Sequence, residues 1–148
     1  MENELRIERL TMLADMLDRH DELFKVVFDI RQWGSEAIHY ETKQHEPELC
    51  GSAACALGSA AMYPPFMKQG LRLRYDSTGF MVRKDSNVLK EDVTPFYDGH
   101  ADFMAGSWFF GITGGESCEL FDGDEYGYTK VTAAMVAERV RKLIKVYV

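Results

Sequence analysis

The sequence predicts a single α+β domain that is mostly helical and carries a short β-hairpin or small antiparallel sheet. Apolar residues recur with a helical period near both ends of the chain and alternate with a period of two in the interior, and turn or helix-ending residues separate these segments. The 148 residues contain no repeat, low-complexity tract or linker, and a hydrophobic content of 46% is typical of a globular protein. We therefore expect one domain over residues 1–148.

The first element is an amphipathic helix over residues 2–20. Its apolar residues fall at spacings of three and four, and they are Ile7, Leu10, Leu13, Ala14 and Leu17. The other side of this helix is polar and carries Glu8, Arg9, Asp15 and Asp18. The period then changes, because apolar residues alternate from Phe24 through Val26 and Phe28 to Ile30, which predicts a strand with one buried face.

The next segment predicts a loop followed by a helix. Residues 34–49 have no period and are expected to form a surface loop. Gly51 and Ser52 suit a helix start, because a serine hydroxyl accepts hydrogen bonds from the unpaired amides of a first turn. The alanine-rich run continues to Met62, and Pro64 and Pro65 are expected to end the helix.

The second half of the chain predicts a hairpin and then three helices. Two short alternating segments flank the turn residues 76–79 in LRLRYDSTGFMVRK. The stretch HADFMAGSWFFGIT predicts a helix that ends at Gly111. Thr113 and Glu116 have the spacing of a capping box, which predicts a short helix through Cys118 and Phe121.

Thr132 is expected to cap the last helix, because threonine is a favoured residue before a first helical turn. One face of that helix carries a stripe of apolar residues, which are Val136, Val140, Leu143, Ile144 and Tyr147. Glu138 and Lys142 lie four residues apart, a spacing that favours an ion pair on the helix surface.

Charge and targeting signals restrict the partners. A formal net charge of −7 disfavours nucleic acid and anionic membranes, and it is compatible with a basic protein partner. The charged N-terminal residues lack the apolar run of a signal peptide, and no apolar run reaches the length of a membrane span. With three cysteines and no export signal, we expect a cytoplasmic protein with reduced thiols.

Cys50 is the first candidate for catalysis. It precedes a predicted helix start, where the helix dipole favours a thiolate, and His100 and Asp102 follow in the chain order of a papain-like hydrolase. The structural interpretation is favoured over this one, because CGSAAC is not a local signature of such enzymes. In that interpretation Cys50 and Cys55 are small apolar residues of the core.

We expect no metal and no cofactor. The potential zinc ligands are scattered singly along the chain, and they are His39, His45, Cys50, Cys55, His100 and Cys118. In DGDEYG, Asp122 and Asp124 stand at calcium-ligand positions, but Tyr126 and Ala133 replace two required acidic ligands, which favours a solvated acidic turn. The glycines of GITGGE have no P-loop lysine and are expected to form the turn between two helices.

An aromatic corner is the best candidate for a recognition surface. It comprises Tyr63-Pro64-Pro65-Phe66 with Met62 and Met67 on either side, and Trp33 is a further candidate binding residue. Tryptophan and tyrosine are enriched among the residues that dominate binding energy at protein interfaces. Most of the other aromatic residues, which include Trp108, Phe109 and Phe110, are expected to lie in the core.

The order of the conspicuous residues resembles a set of small phage and bacterial proteins. These carry a Trp, a Cys-Gly-Thr/Ser-x-x-Cys-x-x-Gly segment and an FFGLT…LF segment. The matching residues span roughly residues 24–121, and they are Trp33, Cys50, Gly51, Ser52, Cys55, Gly58, Phe109, Phe110, Gly111, Thr113, Leu120 and Phe121. The resemblance implies a compact fold and a phage or mobile-element origin, and it implies no mechanism.

Two functional hypotheses follow. The favoured one is a non-enzymatic cytoplasmic binding protein of a phage or mobile element that acts on a host or phage protein or on a small ligand. Interference with a host defence system is a specific form of this hypothesis, by analogy with the family alone. The alternative is a cysteine-dependent hydrolase or transferase that uses Cys50 and His100.

Overall fold

The computed structural model describes residues 1–24, 27–28, 53–75, 93–127 and 130–148. The helices are α1 (Asn3–Asp18), α2 (His20–Leu23), α3 (Ala56–Ala60), α4 (Pro64–Met67), α5 (Phe103–Phe110), α6 (Gly114–Phe121) and α7 (Ala133–Tyr147), with a 3-10 turn at Gly123–Tyr126. The strands are β1 (Val27–Phe28), β2 (Ala53–Ala54), β3 (Arg72–Tyr75), β4 (Val93–Tyr97) and β5 (His100–Ala101).

The strands form two small ladders. β1 and β2 pair in parallel, whereas β3, β4 and β5 form an antiparallel sheet in that order. Because helices predominate and the sheet is small, the predicted α+β class is confirmed. No helix in the described part of the chain has the length and apolar character needed to cross a membrane.

The first and last long helices pack side by side and antiparallel. The Asn3 side chain donates to the carbonyl of Tyr147 at 2.7 Å, and Arg141 pairs with Asp18 at the opposite end of α1. The buried side of α1 contains the predicted residues Leu10, Leu13, Ala14 and Leu17, and α7 contributes Val136, Ala137 and Val140. Burial of these apolar faces supplies the main driving force for joining the two helices.

Three of the predicted helix boundaries are confirmed. Thr113 and Glu116 form the complete capping box, in which each side chain accepts a hydrogen bond from the other residue's amide. Gly111 ends α5 with φ of 70°, a left-handed conformation that glycine adopts without steric cost. The Thr132 hydroxyl accepts from the Met135 amide at 3.3 Å, and the predicted Glu138–Lys142 pair is present at 3.7 Å.

The helix predicted from Ser52 starts later, so the assignment of Ser52 as its cap is wrong. Ala53–Ala54 pair with β1, and α3 begins only after Cys55, whose Sγ accepts from the Gly58 amide at 3.2 Å. Pro64 and Pro65 were predicted only to end the preceding helix, but they also form the first turn of the next one. Pro64 opens α4, because the fixed φ of proline suits the first helical position, where the missing N–H would be unpaired.

The helix predicted from the stretch that begins at His100 also starts later than expected, at Phe103. His100–Ala101 form β5, which pairs with β4 through a two-residue turn at Asp98 and Gly99, with φ of 48° and 83°. Asp-Gly is a strong signal for this type of hairpin turn, but in the sequence the helical pattern that follows obscures it.

Two of the predicted strands are only partly described. The strand predicted from Phe24 to Ile30 is observed at Val27–Phe28, and Phe24 is a buried residue at the end of α2. The first arm of the predicted hairpin is β3, whose described partner is β4. The turn at residues 76–79 and the second arm lie outside the described residues.

Candidate functional site

The residues proposed for catalysis are not assembled by the described contacts. Cys50 lies outside the part of the chain that the structure describes. The His100 ring stacks on Trp108, and the Asp102 carboxylate accepts from the Thr94 hydroxyl at 2.5 Å. Among the described residues His100 therefore has an aromatic neighbour and no bond to Asp102, so the hydrolase alternative stays a prediction.

The aromatic corner predicted as a recognition surface is divided between core and surface. Pro64 is exposed and Pro65 is half-buried, so for the accessible members the assignment stays a prediction, and only Met62 and Phe66 are ruled out. Met62 and Phe66 have 0% of their surface exposed, so neither can contact a partner. Tyr63 is half-buried and packs edge-on against Phe66, with ring centroids 5.3 Å apart. Met67 is also half-buried, and Trp33 is not among the residues that the structure describes.

No metal centre is formed by the described residues, since no three His, Cys, Asp or Glu side chains among them are placed to hold an ion. His39, His45 and Cys50 lie outside the described ranges, so the expectation of no metal stays a prediction.

The acidic turn has a defined structure of its own. The Asp122 carboxylate caps the 3-10 turn by accepting from the Asp124 amide at 3.0 Å. Tyr126 is buried, and the Arg139 guanidinium lies 3.7 Å from its ring centroid. Burial raises the pKa of Tyr126 to about 12. A neutral phenol and a fixed cation at this place disfavour a calcium ion.

Of the two tryptophans, Trp108 is the one that the structure describes, and it lies at the surface. Its exposed fraction is 51%, and Met104, one turn earlier on α5, is 47% exposed. The Trp108 and His100 rings are nearly parallel, with an angle of 5° and centroids 4.4 Å apart. We call His100, Met104 and Trp108 the Trp108 face. Sequence reasoning had placed Trp108 in the core, so this surface was missed.

The connection between β5 and α5 brings His100 to Trp108. Asp102 makes this connection with φ of 58° and ψ of −138°, a conformation that costs a non-glycine residue on the order of 1–3 kcal/mol. Its amide donates to the Pro95 carbonyl at 3.1 Å, and its carboxylate is held by Thr94. These bonds offset the strain and turn the chain from the sheet directly into the helix.

The opposite side of α5 is anchored firmly in the core. Phe109 and Phe110 are fully buried, and a Cβ on Gly106 would lie 2.9 Å from the Ser117 hydroxyl and 3.0 Å from Phe121. The Ser117 hydroxyl donates to the Phe103 carbonyl at 2.7 Å, which ties α6 to the start of α5. Trp108 is therefore presented on a rigid helix, as a precise binding site requires.

His20 and Ser59 form a buried polar pair elsewhere in the molecule. His20 is 2% exposed and its Nε2 lies 2.9 Å from the Ser59 hydroxyl, which is itself inaccessible. Its Nδ1 is buried without a hydrogen-bond partner among the described residues. Because no substrate can reach the Ser59 hydroxyl, this pair is structural.

The buried histidine predicts acid sensitivity. Burial lowers the pKa of His20 below 6.5, and the carboxylate of Asp21 opposes that shift. Protonation would also put an N–H on both ring nitrogens, and no acceptor for Nδ1 lies among the described residues. The unfolded chain binds this proton more readily, so the stabilising contribution is present above about pH 6.5 and is lost as pH falls through the lowered pKa.

We expect His20→Gln to change this pH dependence. The difference in free energy of unfolding between the wild type and His20→Gln should be largest near pH 7.5 and should shrink towards pH 5. Urea unfolding at several pH values measures it. A difference that stays constant over this range would contradict the depressed pKa.

Comparison of the chain with models of known protein families, with curated proteins and with solved structures finds no match. The Trp108 face, with its exposed indole on an anchored helix, is therefore the surface on which a functional interpretation can rest.

Proposed function

We propose that this chain is a non-enzymatic binding protein that docks on another protein through the Trp108 face. The observation that supports this is the orientation of Trp108, whose indole is half exposed and yet stacked on the His100 ring at 4.4 Å. Exposed aromatic side chains of this kind are the usual anchors of protein interfaces.

The geometry favours binding because the entropic cost of ordering the Trp108 side chain is already met in the free protein. An interface tryptophan normally loses side-chain freedom when a partner arrives, which reduces affinity. Here the stack with His100 restrains the indole in advance. Met104 adds a flexible apolar surface that adapts to the shape of a partner.

The sequence resemblance favours a phage or mobile-element origin for this binding activity. In that setting the partner is a host protein in the cytoplasm, and interference with a host defence system is the specific form we propose.

Truncation of Trp108 tests the docking role. Trp108→Ala should weaken binding of the partner by about 30-fold or more, as removal of an interface hot spot does. It should lower the free energy of unfolding by only about 1 kcal/mol, the value of one aromatic stack. The matched control is Val146→Ala, because Val146 is an exposed apolar residue on α7.

The experiment has two stages. Tagged wild type, Trp108→Ala and Val146→Ala are used to capture proteins from host lysate with quantitative mass spectrometry. The affinity of the purified captured protein for each variant is then measured by calorimetry. A captured protein that binds Trp108→Ala as tightly as wild type would overturn the proposal.

A further inference from the structure

We infer that the partner is a basic protein, and that one of its arginine or lysine side chains packs on the exposed part of the Trp108 indole, which belongs to an acidic segment of the chain. This inference rests on the proposed function and deepens it by naming the chemistry of the partner.

The charge of the molecule is concentrated in the segment that builds the Trp108 face. Residues 93–127 contain no lysine or arginine and seven acidic residues, which are Asp98, Asp102, Glu116, Glu119, Asp122, Asp124 and Glu125. Their number equals the whole net charge of −7, so acids and bases balance in the rest of the chain. Arginines from other segments contact it and offset part of this charge, and they are Arg6, Arg9, Arg72, Arg74 and Arg139. The acidic residues outnumber these five arginines, so the net charge of this region stays negative and favours a cation.

The arginines that approach this segment from other helices bind its backbone carbonyls. Arg6 donates to the Gly111 carbonyl at 2.6 Å and Arg9 to the Phe109 carbonyl at 2.5 Å, both at the end of α5. Arg139 donates to the Glu119 carbonyl at 2.8 Å. Among the ion pairs formed by the described residues, none involves Asp98 or Asp102.

Two acidic residues flank His100 in the sequence, and the carboxylate of one of them, Asp102, is bonded to the Thr94 hydroxyl. Asp98 and Asp102 are each two residues from His100, and both are exposed. Because tryptophan binds cations more strongly than other aromatic rings do, a guanidinium over the exposed indole would gain cation–π attraction. The exposed Asp98 carboxylate, in the turn that precedes His100, would add a weaker and longer-range attraction. The fold already uses such contacts, with Arg74 lying 3.7 Å from the Phe96 ring centroid.

Charge also selects among the possible occupants of this face. A second copy of the chain in a symmetric dimer would place the same acidic segment against itself, which is repulsive. Nucleic acids and anionic membranes are repelled for the same reason. A basic protein surface is the occupant that combines an apolar contact with charge complementarity.

The test uses a labelled peptide as the probe. A fluorescein-labelled nonapeptide of glycine and serine carries two arginines, and its control carries two citrullines, which have the same shape without the charge. Fluorescence anisotropy at low salt measures binding to the full chain. We expect the arginine peptide to bind at least about 10-fold more tightly than the citrulline peptide, and Trp108→Ala to remove most of this preference.

Two charge variants test whether the attraction of the arginine peptide comes from the Trp108 face or from the acidic segment as a whole. Asp98→Asn removes one carboxylate, and asparagine suits the left-handed turn position, so the hairpin should be kept. Glu125→Gln removes the same charge from an exposed position on the 3-10 turn. We expect Asp98→Asn to weaken the arginine peptide by about 3-fold or more and Glu125→Gln to change it by less than about 2-fold.

Equal binding of the two peptides, or no binding of either at millimolar concentration, would overturn the inference. Equal loss in Asp98→Asn and Glu125→Gln would also overturn it, because the attraction would then be diffuse. A captured protein that depends on Trp108 but is insensitive to Asp98→Asn and to salt would leave the proposed function standing and refute the basic partner.

Discussion

Phe66→Ala is expected to lower the free energy of unfolding by about 3–5 kcal/mol, which is the range for truncating a buried phenylalanine. The Phe66 ring is fully buried and makes edge-to-face contacts with Phe109 at 5.2 Å and with Phe110 at 5.6 Å. It thereby joins α4 to α5. Truncation removes the apolar contacts and leaves a cavity between two helices that cannot collapse freely.

Chemical denaturation of Phe66→Ala measures this loss, and Met67→Ala is the matched control. Met67 is the next residue of α4 and is only half-buried, so its truncation should cost clearly less. If Phe66→Ala unfolded at the wild-type denaturant concentration, the packing of the aromatic core described above would be wrong. The partner affinity of the folded variant should stay at the wild-type value, since Phe66 cannot reach a partner.

Arg9→Met is expected to destabilise the protein by about 3 kcal/mol, whereas truncation of a surface arginine has little effect on the free energy of unfolding. Arg9 is 6% exposed, although its position had indicated the polar side of α1. Its guanidinium donates to the Phe109 carbonyl at 2.5 Å and to the Gln69 side chain at 2.8 Å, and it lies 4.0 Å from the Phe109 ring centroid. Methionine fills the volume but leaves the buried Phe109 carbonyl unpaired, at a cost of about 1–3 kcal/mol, and it also removes the bond to the half-buried Gln69 side chain and the contact with the Phe109 ring.

Two further variants test whether the hydrogen bonds of the Arg9 guanidinium cause this loss of stability. Arg9→Lys keeps the charge but lacks the planar fork of donors, so it should fall between wild type and Arg9→Met. Arg19→Met removes an arginine whose ion pair with Glu22 is exposed, and it should have little effect. Denaturation midpoints of the three variants test this order. Equal stability of Arg9→Met and wild type would show that the buried hydrogen bonds contribute nothing net.

The helix boundaries in the second half of the chain were predictable because they depend on residues within one or two turns. The Thr113–Glu116 box, the left-handed Gly111 and the Thr132 cap are each formed by side chains and amides of the same short segment. Local steric and hydrogen-bonding preferences suffice to form such features where no distant segment competes for the same backbone groups.

Cys55 shows where local reasoning failed within a single segment. Ser52 is the better capping residue in isolation, and the alanines after it favour a helix. Pairing of Ala53–Ala54 with Val27–Phe28 extends the backbone there instead and delays the helix to Cys55. A strand partner more than twenty residues away outweighed an intrinsic preference, as is usual when hydrogen bonds to another segment are available.

The candidate site depended on tertiary structure for the same reason. The sequence does not distinguish which of three adjacent aromatic residues are buried, and these are Trp108, Phe109 and Phe110. The close contact of Gly106 with α6 sets the rotation of α5, which turns Phe109 and Phe110 inward and leaves Trp108 outside. Composition and charge determined by themselves that the chain is globular and acidic. Which side chains are buried was decided by packing between distant segments, because a helix buries the face that its neighbours cover.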